Sequence, residues 1–197
     1  MVPELRLGVL AIQGGFEAHS RVLHGLGADV LEVRVEADLT GLDGLVIPGG
    51  ESTTISKGIE SARLGDPIRE HHRAGGTIFG TCAGMILCDE EHLGLIDAAA
   101  ARNAFGRQLQ SFEVDLAVEG IGEEAFRGVF IRAPRVERHG PDVEVLASYD
   151  GHAVAIREER VLACSFHPEL TDDPRLHAYF MAMTTSARDR AREEAEA

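Results

Sequence analysis

The chain has 197 residues, 44% of them hydrophobic and 26% charged, which fits one soluble globular domain large enough to bury a core without disulfide or metal staples. No apolar stretch approaches the length of a membrane-spanning helix, and the N-terminus lacks a basic segment followed by an apolar one. Three cysteines, few and odd in number, argue for reduced thiols in the cytoplasm, and 19 basic against 33 acidic residues, a net charge of −14, makes a surface that repels nucleic acid.

Leu5 to Ile12 is an apolar run that predicts a buried strand. Gln13-Gly14-Gly15 is a turn, and Phe16 to Leu26 has helical spacing with Phe16, Val22, Leu23 and Leu26 on one broad face; Gly27 is placed to end that helix. Ala28 to Arg34 predicts a second strand and Gly44 to Ile47 a third, broken at once by Pro48-Gly49-Gly50. Ser52-Thr53-Thr54 opens a helix toward Ile59, and Pro67 to Ala74 predicts another, with His71 and His72 at its surface. Thr77-Ile78-Phe79 is a fourth strand, followed by Gly80-Thr81-Cys82-Ala83-Gly84 and a helical start at Met85. This alternation predicts βαβ units and an α/β fold with a mainly parallel sheet.

The second half changes character. Phe112 to Val118, Val129 to Ile131, Val143 to Ala147, Ala153 to Ile156 and Val161 to Phe166 predict short strands that form hairpins and extend the sheet in antiparallel fashion. Asp173-Pro174 starts a last helix carrying Leu176, Tyr179, Phe180 and Met183. One domain is expected over residues 1–185. The charged tail from Ser186 to Ala197 is either a solvated extension of the last helix or frayed.

Three segments carry chemistry. Gly80-Thr81-Cys82-Ala83-Gly84 has the form Gly-x-nucleophile-x-Gly between a strand and a helix. A nucleophile on so sharp a turn needs small neighbours, the helix start behind it favours a thiolate, and the Ala83 N–H is available to an oxyanion. Read alone, the segment is equally a small buried Cys in a Gly-rich turn. Ser165-Phe166-His167-Pro168-Glu169 follows the last strand. Pro168 biases His167 to extended backbone, and in an extended segment Glu169 lies on the same side as His167, where it accepts from Nδ1 and leaves Nε2 as a base. Pro48-Gly49-Gly50-Glu51-Ser52-Thr53-Thr54 stands at a strand C-terminus, where ligand crevices form, and its glycines let amides point at an anion. It lacks the spacing of a phosphate-binding loop. Cys88 and Cys164 read as core thiols, and the nine histidines show no metal-ligand spacing, so neither metal nor cofactor is expected.

Taken together, these segments resemble a known family. With Arg102-Asn103-x-Phe105-Gly106-Arg107-Gln108 and Val129-Phe130-Ile131-Arg132-Ala133-Pro134 between them, and in the same order, they look like the triad-type (class I) glutamine amidotransferases, and within these the glutaminase subunits of pyridoxal 5′-phosphate synthases, from about Val9 to Met183. The resemblance implies a flavodoxin-like sheet with helices on both faces. It also implies hydrolysis of L-glutamine to glutamate and ammonia, passed through a channel to a (β/α)₈-barrel synthase subunit in a large hetero-oligomer, with activity mainly when docked. By position, Cys82 matches the nucleophile, His167 the base and Glu169 its orienter. Gly50, Glu51 and Ser52 match the glutamine-binding loop, with Gly50 and Ala83 as oxyanion donors. Arg102, Ile131 and Arg132 match further glutamine contacts, and Gln13 an interface or activation position. The chain departs from the family pattern in a short segment between Cys82 and Arg102, in Gly14-Gly15-Phe16 after Gln13, and in Arg135 after Ala-Pro. Two alternatives stay open: a glutaminase serving histidine or purine synthesis, and a non-catalytic, redox-sensing module on the same scaffold.

Overall fold

The computed structural model describes residues 4–102 and 111–196. Its centre is a seven-stranded sheet in the order β2-β1-β3-β4-β11-β10-β9. Strands β1 (Arg6–Leu10), β2 (Asp29–Val33), β3 (Gly44–Ile47), β4 (Thr77–Thr81) and β11 (Val161–Cys164) are parallel; β10 (His152–Glu158) and β9 (Glu144–Tyr149) run antiparallel at one side. The helices are α1 (Phe16–Gly25), α2 (Ser52–Ser61), α3 (Gly65–Arg73), α4 (Ala83–Cys88) and α5 (Arg175–Glu196). Among the described residues no helix is long and apolar enough to cross a membrane.

Strand periodicity divides the core in two. Along β3 and β4, Leu45, Ile47 and Ile78 join one apolar cluster with Ile55, Ile59 and Ile68 of α2 and α3. Val46 and Phe79 join a second with Leu23 of α1 and Leu176 and Phe180 of α5. The sheet is thus covered on both faces, which is why its central strands read as unbroken apolar runs rather than alternating ones. α5 packs through Leu176, His177, Phe180, Thr184 and Ala187 and then continues, exposed, over residues 189–196.

Two features of the second half differ from expectation. Only β9 and β10 extend the main sheet in antiparallel fashion, and β11, expected among them, joins it in parallel beside β4; β6 (Ser111–Leu116) and β7 (Phe126–Ile131) form a separate antiparallel ribbon. Its Phe112 and Phe130 rings are stacked at 4.7 Å. A second ribbon pairs β5 (Ala98–Ala101) with β8 (Arg135–His139), two strands the pattern did not predict. β5 is four alanines and β8 is mostly charged, so neither carries the branched or aromatic residues that announce a strand.

Candidate active site

Cys82 follows the last residue of β4 in mid-sheet and precedes α4, with φ 49° and ψ −106°. A non-glycine residue held there stores about 1–3 kcal/mol of strain. The surroundings enforce it: the Cys82 N–H donates to the Cys164 carbonyl of β11 at 2.8 Å, and α4 sits hard against β3. A Cβ on Gly84 would lie 1.9 Å from the Ile47 carbonyl oxygen, so only glycine lets the helix approach this closely.

His167 follows β11 with φ −106° and ψ 85°, short of the extended backbone expected before a proline, and donates its N–H to the Val129 carbonyl at 2.8 Å. The expectation that the following residues stay extended is not met. Pro168–Leu170 is a single 3-10 turn, favoured because Pro168 suits the first position of a helical turn. That turn brings Glu169 back under the imidazole, with Oε1 2.8 Å from Nδ1, which leaves Nε2 for the thiol. Burial by itself lowers the His167 pKa, but hydrogen bonds to Cys82 and Glu169, together with their charges, outweigh it and push it up to about 10. Burial likewise opposes ionisation of Glu169; the facing His19 and His167 rings outweigh it and hold the carboxyl below its ordinary range. The structure therefore brings Cys82, His167 and Glu169 together with an imidazolium favoured between a thiol and a carboxylate. The other two thiols, Cys88 and Cys164, are fully buried and pushed well up by burial.

A cavity of about 430 Å³ opens over this group, a size suited to a small molecule. Gln13, Gly50, Glu51, Ser52, Cys82, Ala83, Arg102, Ile131, Arg132, His167 and Glu169 all line it. Arg102 and Arg132, thirty residues apart in sequence, face the same space. Arg102 is held by Thr53, with Nη1 3.0 Å from Oγ1, and Arg132 has a left-handed backbone, φ 45°. The remaining residues of the Arg102–Gln108 motif lie outside the described residues. The Ile131 carbonyl lies 3.8 Å from Cys82 Sγ.

The Gly49–Ser52 loop is pinned from several sides. The Gly49 carbonyl accepts from Gly15 N–H at 2.9 Å, the Gly49 N–H donates to Thr81 Oγ1 at 3.0 Å, and the Glu51 N–H donates to Gln13 Oε1 at 2.8 Å. A Cβ on Gly49 would lie 2.5 Å from His167 Cε1 and 3.1 Å from Cys82 Cβ, so the loop crosses directly over the base and the thiol. The Glu51 carboxylate turns to α2 instead, accepting from Thr53 N–H, Thr54 N–H and Thr54 Oγ1 as an N-cap; the Thr54 hydroxyl and these amides hold its pKa down to about 2.

Two buried residues escaped the sequence reading. His19 of α1 and His177 of α5 are fully buried and meet behind Glu169, Nδ1 to Nε2 at 2.9 Å. The helical spacing of Phe16, His19 and Leu23 was the signal available for His19. His71 and His72, expected at the surface, are half-buried: His72 Nδ1 lies 3.3 Å from the Gly76 carbonyl and its own carbonyl accepts from Arg160. The turn at Gly75-Gly76 folds back over α3 and covers them. Among the described residues no group of three His, Cys, Asp or Glu side chains could hold a metal ion.

A family model, the SNO glutamine amidotransferase family, matches residues 9–186. The chain belongs to this family. Curated relatives agree: a pyridoxal 5′-phosphate synthase subunit PdxT from Geobacillus thermodenitrificans is 48% identical over 191 residues, covering 93% of this chain and 97% of the relative. PdxT of Moorella thermoacetica is 48% identical over 186 residues, 91% of this chain and 99% of the relative. A crystal structure described as a glutamine amidotransferase superposes with TM-score 0.84 at 47% identity, covering 91% of this chain and 98% of the other. One chain of the PurLQS structure from Thermotoga maritima shares the fold, with TM-score 0.71 at 18% identity over 91% of this chain and 99% of the other. The doubly covered, mainly parallel sheet is thus the family's own architecture.

Proposed function

We propose that this chain is the glutaminase subunit of a pyridoxal 5′-phosphate synthase, hydrolysing L-glutamine to L-glutamate and ammonia and passing the ammonia to a (β/α)₈-barrel synthase subunit in a hetero-oligomer. The observation that carries the chemistry is the ordered contact of Cys82, His167 and Glu169 under a loop of backbone amides. The PdxT relatives, close to half identical over nearly the whole chain, support the partner. A redox sensor would need no oriented base, and the His167–Glu169 contact argues against that alternative. The buried free thiols suit the cytoplasm as its working compartment.

In this reading Arg102 and Arg132 receive the substrate carboxylate, for which guanidinium forks are well shaped. The Cys82 thiolate attacks the side-chain amide carbon, and the carbonyl oxygen takes up the negative charge. Amides of the loop at Gly50 and at Ala83 face that oxygen; Ala83 opens α4, so its N–H has no carbonyl one turn back to bond. The imidazolium of His167 gives its Nε2 proton to the leaving nitrogen, releasing ammonia and a γ-thioester. Neutral His167 then takes a proton from water, which attacks the thioester; the thiolate leaves, the new γ-carboxyl of glutamate gives its proton to solvent, and the thiolate–imidazolium pair is restored. Glu169 keeps Nδ1 protonated throughout and stabilises each imidazolium. Gln13 ties the α1 loop to Glu51, and in this reading that tie couples a docked partner to the site.

The test is ammonia release from L-glutamine by the purified chain alone and mixed with the synthase subunit. A large rise on mixing, abolished by Cys82→Ala and nearly so by His167→Asn, is the expected result. Activity indifferent to the synthase subunit would keep the triad and discard the partner; retained activity in Cys82→Ala would discard the triad.

A further inference from the structure

Behind the triad lies a buried polar chain that the mechanism above does not use. Glu169 Oε1 faces His167, but Oε2 is buried and has no aligned hydrogen-bond donor among the described residues. His19 Nε2 lies 3.3 Å from Oε2 and 3.0 Å from Thr81 Oγ1, and the alignment favours Thr81. The other nitrogen of His19 meets His177 Nε2 at 2.9 Å, and His177 Nδ1 has no partner among the described residues.

These contacts assign the protons. If His19 carried its hydrogen on Nδ1, two costs would follow. His177 would hold an N–H on Nδ1 with no acceptor, and the His19 Nε2 lone pair would face a carboxylate. With the hydrogen on His19 Nε2 and on His177 Nε2, only one lone pair goes unmet and an N–H faces Glu169. An orphaned buried N–H is the rarer fault. Burial keeps both rings neutral, His177 falling to about 3, and in His19 burial outweighs the opposing pull of Glu169.

We propose that His19 is a positioning residue for the triad: its single Nε2–H, shared between Glu169 Oε2 and Thr81 Oγ1, ties the carboxylate behind the base to the strand that carries the nucleophile. Thr81 Oγ1 also accepts the Gly49 N–H, so the same hydroxyl joins the loop over the site to this network. The titratable groups around His19 are Glu169 and His167 on the turn after β11 and His177 on α5; the Cys82 and Cys164 thiols lie beyond Glu169 and His167.

The inference rests on the glutaminase reading for its kinetic arm only. Kinetics are read on the complex with the synthase subunit, and Cys82 reactivity by iodoacetamide alkylation across pH 5–9, which requires no substrate. In H19L the carboxylate loses its second hold, the imidazolium is less well stabilised, and a higher pH is needed to form the thiolate. Its kcat should fall about 10- to 100-fold at little-changed KM, and the acid limb of alkylation should move up by about one pH unit. H19Q, which restores an N–H near the Nε2 position, should stay within about threefold of wild type in kcat and keep the wild-type alkylation profile. H177F, which removes the donor to His19 Nδ1 but keeps an aromatic ring beside Phe79, should shift the profile less and in the same direction. A wild-type alkylation profile in H19L, or equal losses in H19L and H19Q, would reduce His19 to a packing residue and overturn the proposal. Should H19L not fold, the H177F profile decides in the same sense: shifted supports, unshifted overturns. A wild-type complex that releases no ammonia would sink the glutaminase reading instead, and the alkylation profiles would still judge His19.

Discussion

In the proposed reaction Glu169 matters without touching the reacting atoms. It holds one tautomer of His167 and balances its charge, so Glu169→Gln in the complex should lower ammonia release by about 10²–10⁴-fold, less than loss of Cys82; a drop as deep as that of Cys82→Ala would give it a more direct part. His167 adds a stability signature. Its pKa in the fold is raised to about 10 from an ordinary value near 6.5, so the stability it contributes is present below about pH 6.5 and is lost as pH rises through about 10. The difference in Tm between wild type and His167→Asn should therefore shrink steadily from neutral pH to pH 10.5. A constant gap would mean that the imidazolium is not held in the fold. Cys82, His167 and Glu169 could be singled out because each stands in a short motif, and because the motifs, ambiguous one by one, follow each other in the order of a known family. His19 was not: a lone histidine on an apolar helix face reads as core, and its partners, Thr81, Glu169 and His177, lie 62, 150 and 158 residues away in the chain.

Helix α4 has six residues and makes no side-chain hydrogen bond at its N-cap. Its position depends on close approach rather than on length: Gly84 lies against the Ile47 carbonyl, and Ala83, Met85 and Leu87 fill the cluster shared with α2 and β3. Gly84→Ala should lower stability by about 3 kcal/mol, because backbone on one side and a fully buried strand on the other leave nothing free to yield. Chemical denaturation measures this, and a change below about 0.5 kcal/mol would mean the helix can lift without penalty. At this scale the centre of the sheet was readable because β1, β3 and β4 are buried, mostly apolar runs, with glycine or proline close behind β1 and β3. β5 and β8 were not, because they exist through pairing with each other rather than through their own composition. The turn at Pro168 misled in a subtler way. The proline keeps His167 out of the helical region without fully extending it, yet it also starts a helical turn, and Glu169 reaches the imidazole by that second effect.

Across the molecule, 33 acidic residues against 19 basic make a surface that repels itself. Its ion pairs are mostly exposed, such as Arg73 with Glu70 and Arg127 with Asp115, and such pairs contribute little. Screening should then relieve more repulsion than attraction. Tm should rise by about 2–4 °C between 20 mM and 0.5 M sodium chloride, followed by differential scanning fluorimetry at pH 7.5; a fall would mean that the ion pairs outweigh the excess charge. The parallel order of the sheet followed from strand–helix alternation, whereas which later strands would join it did not, since that is decided by partners distant in sequence. The place of β11 between β4 and β10 has a consequence during synthesis. Cys82 leaves the ribosome about 85 residues before His167, an interval of roughly 4–17 s at about 5–20 residues per second. Until β11 inserts beside β4, the nascent thiol has neither base nor carboxylate beside it. With the proposed roles of these residues, an unfinished chain is chemically quiet, and the cell meets an activated cysteine only on molecules whose sheet is closed.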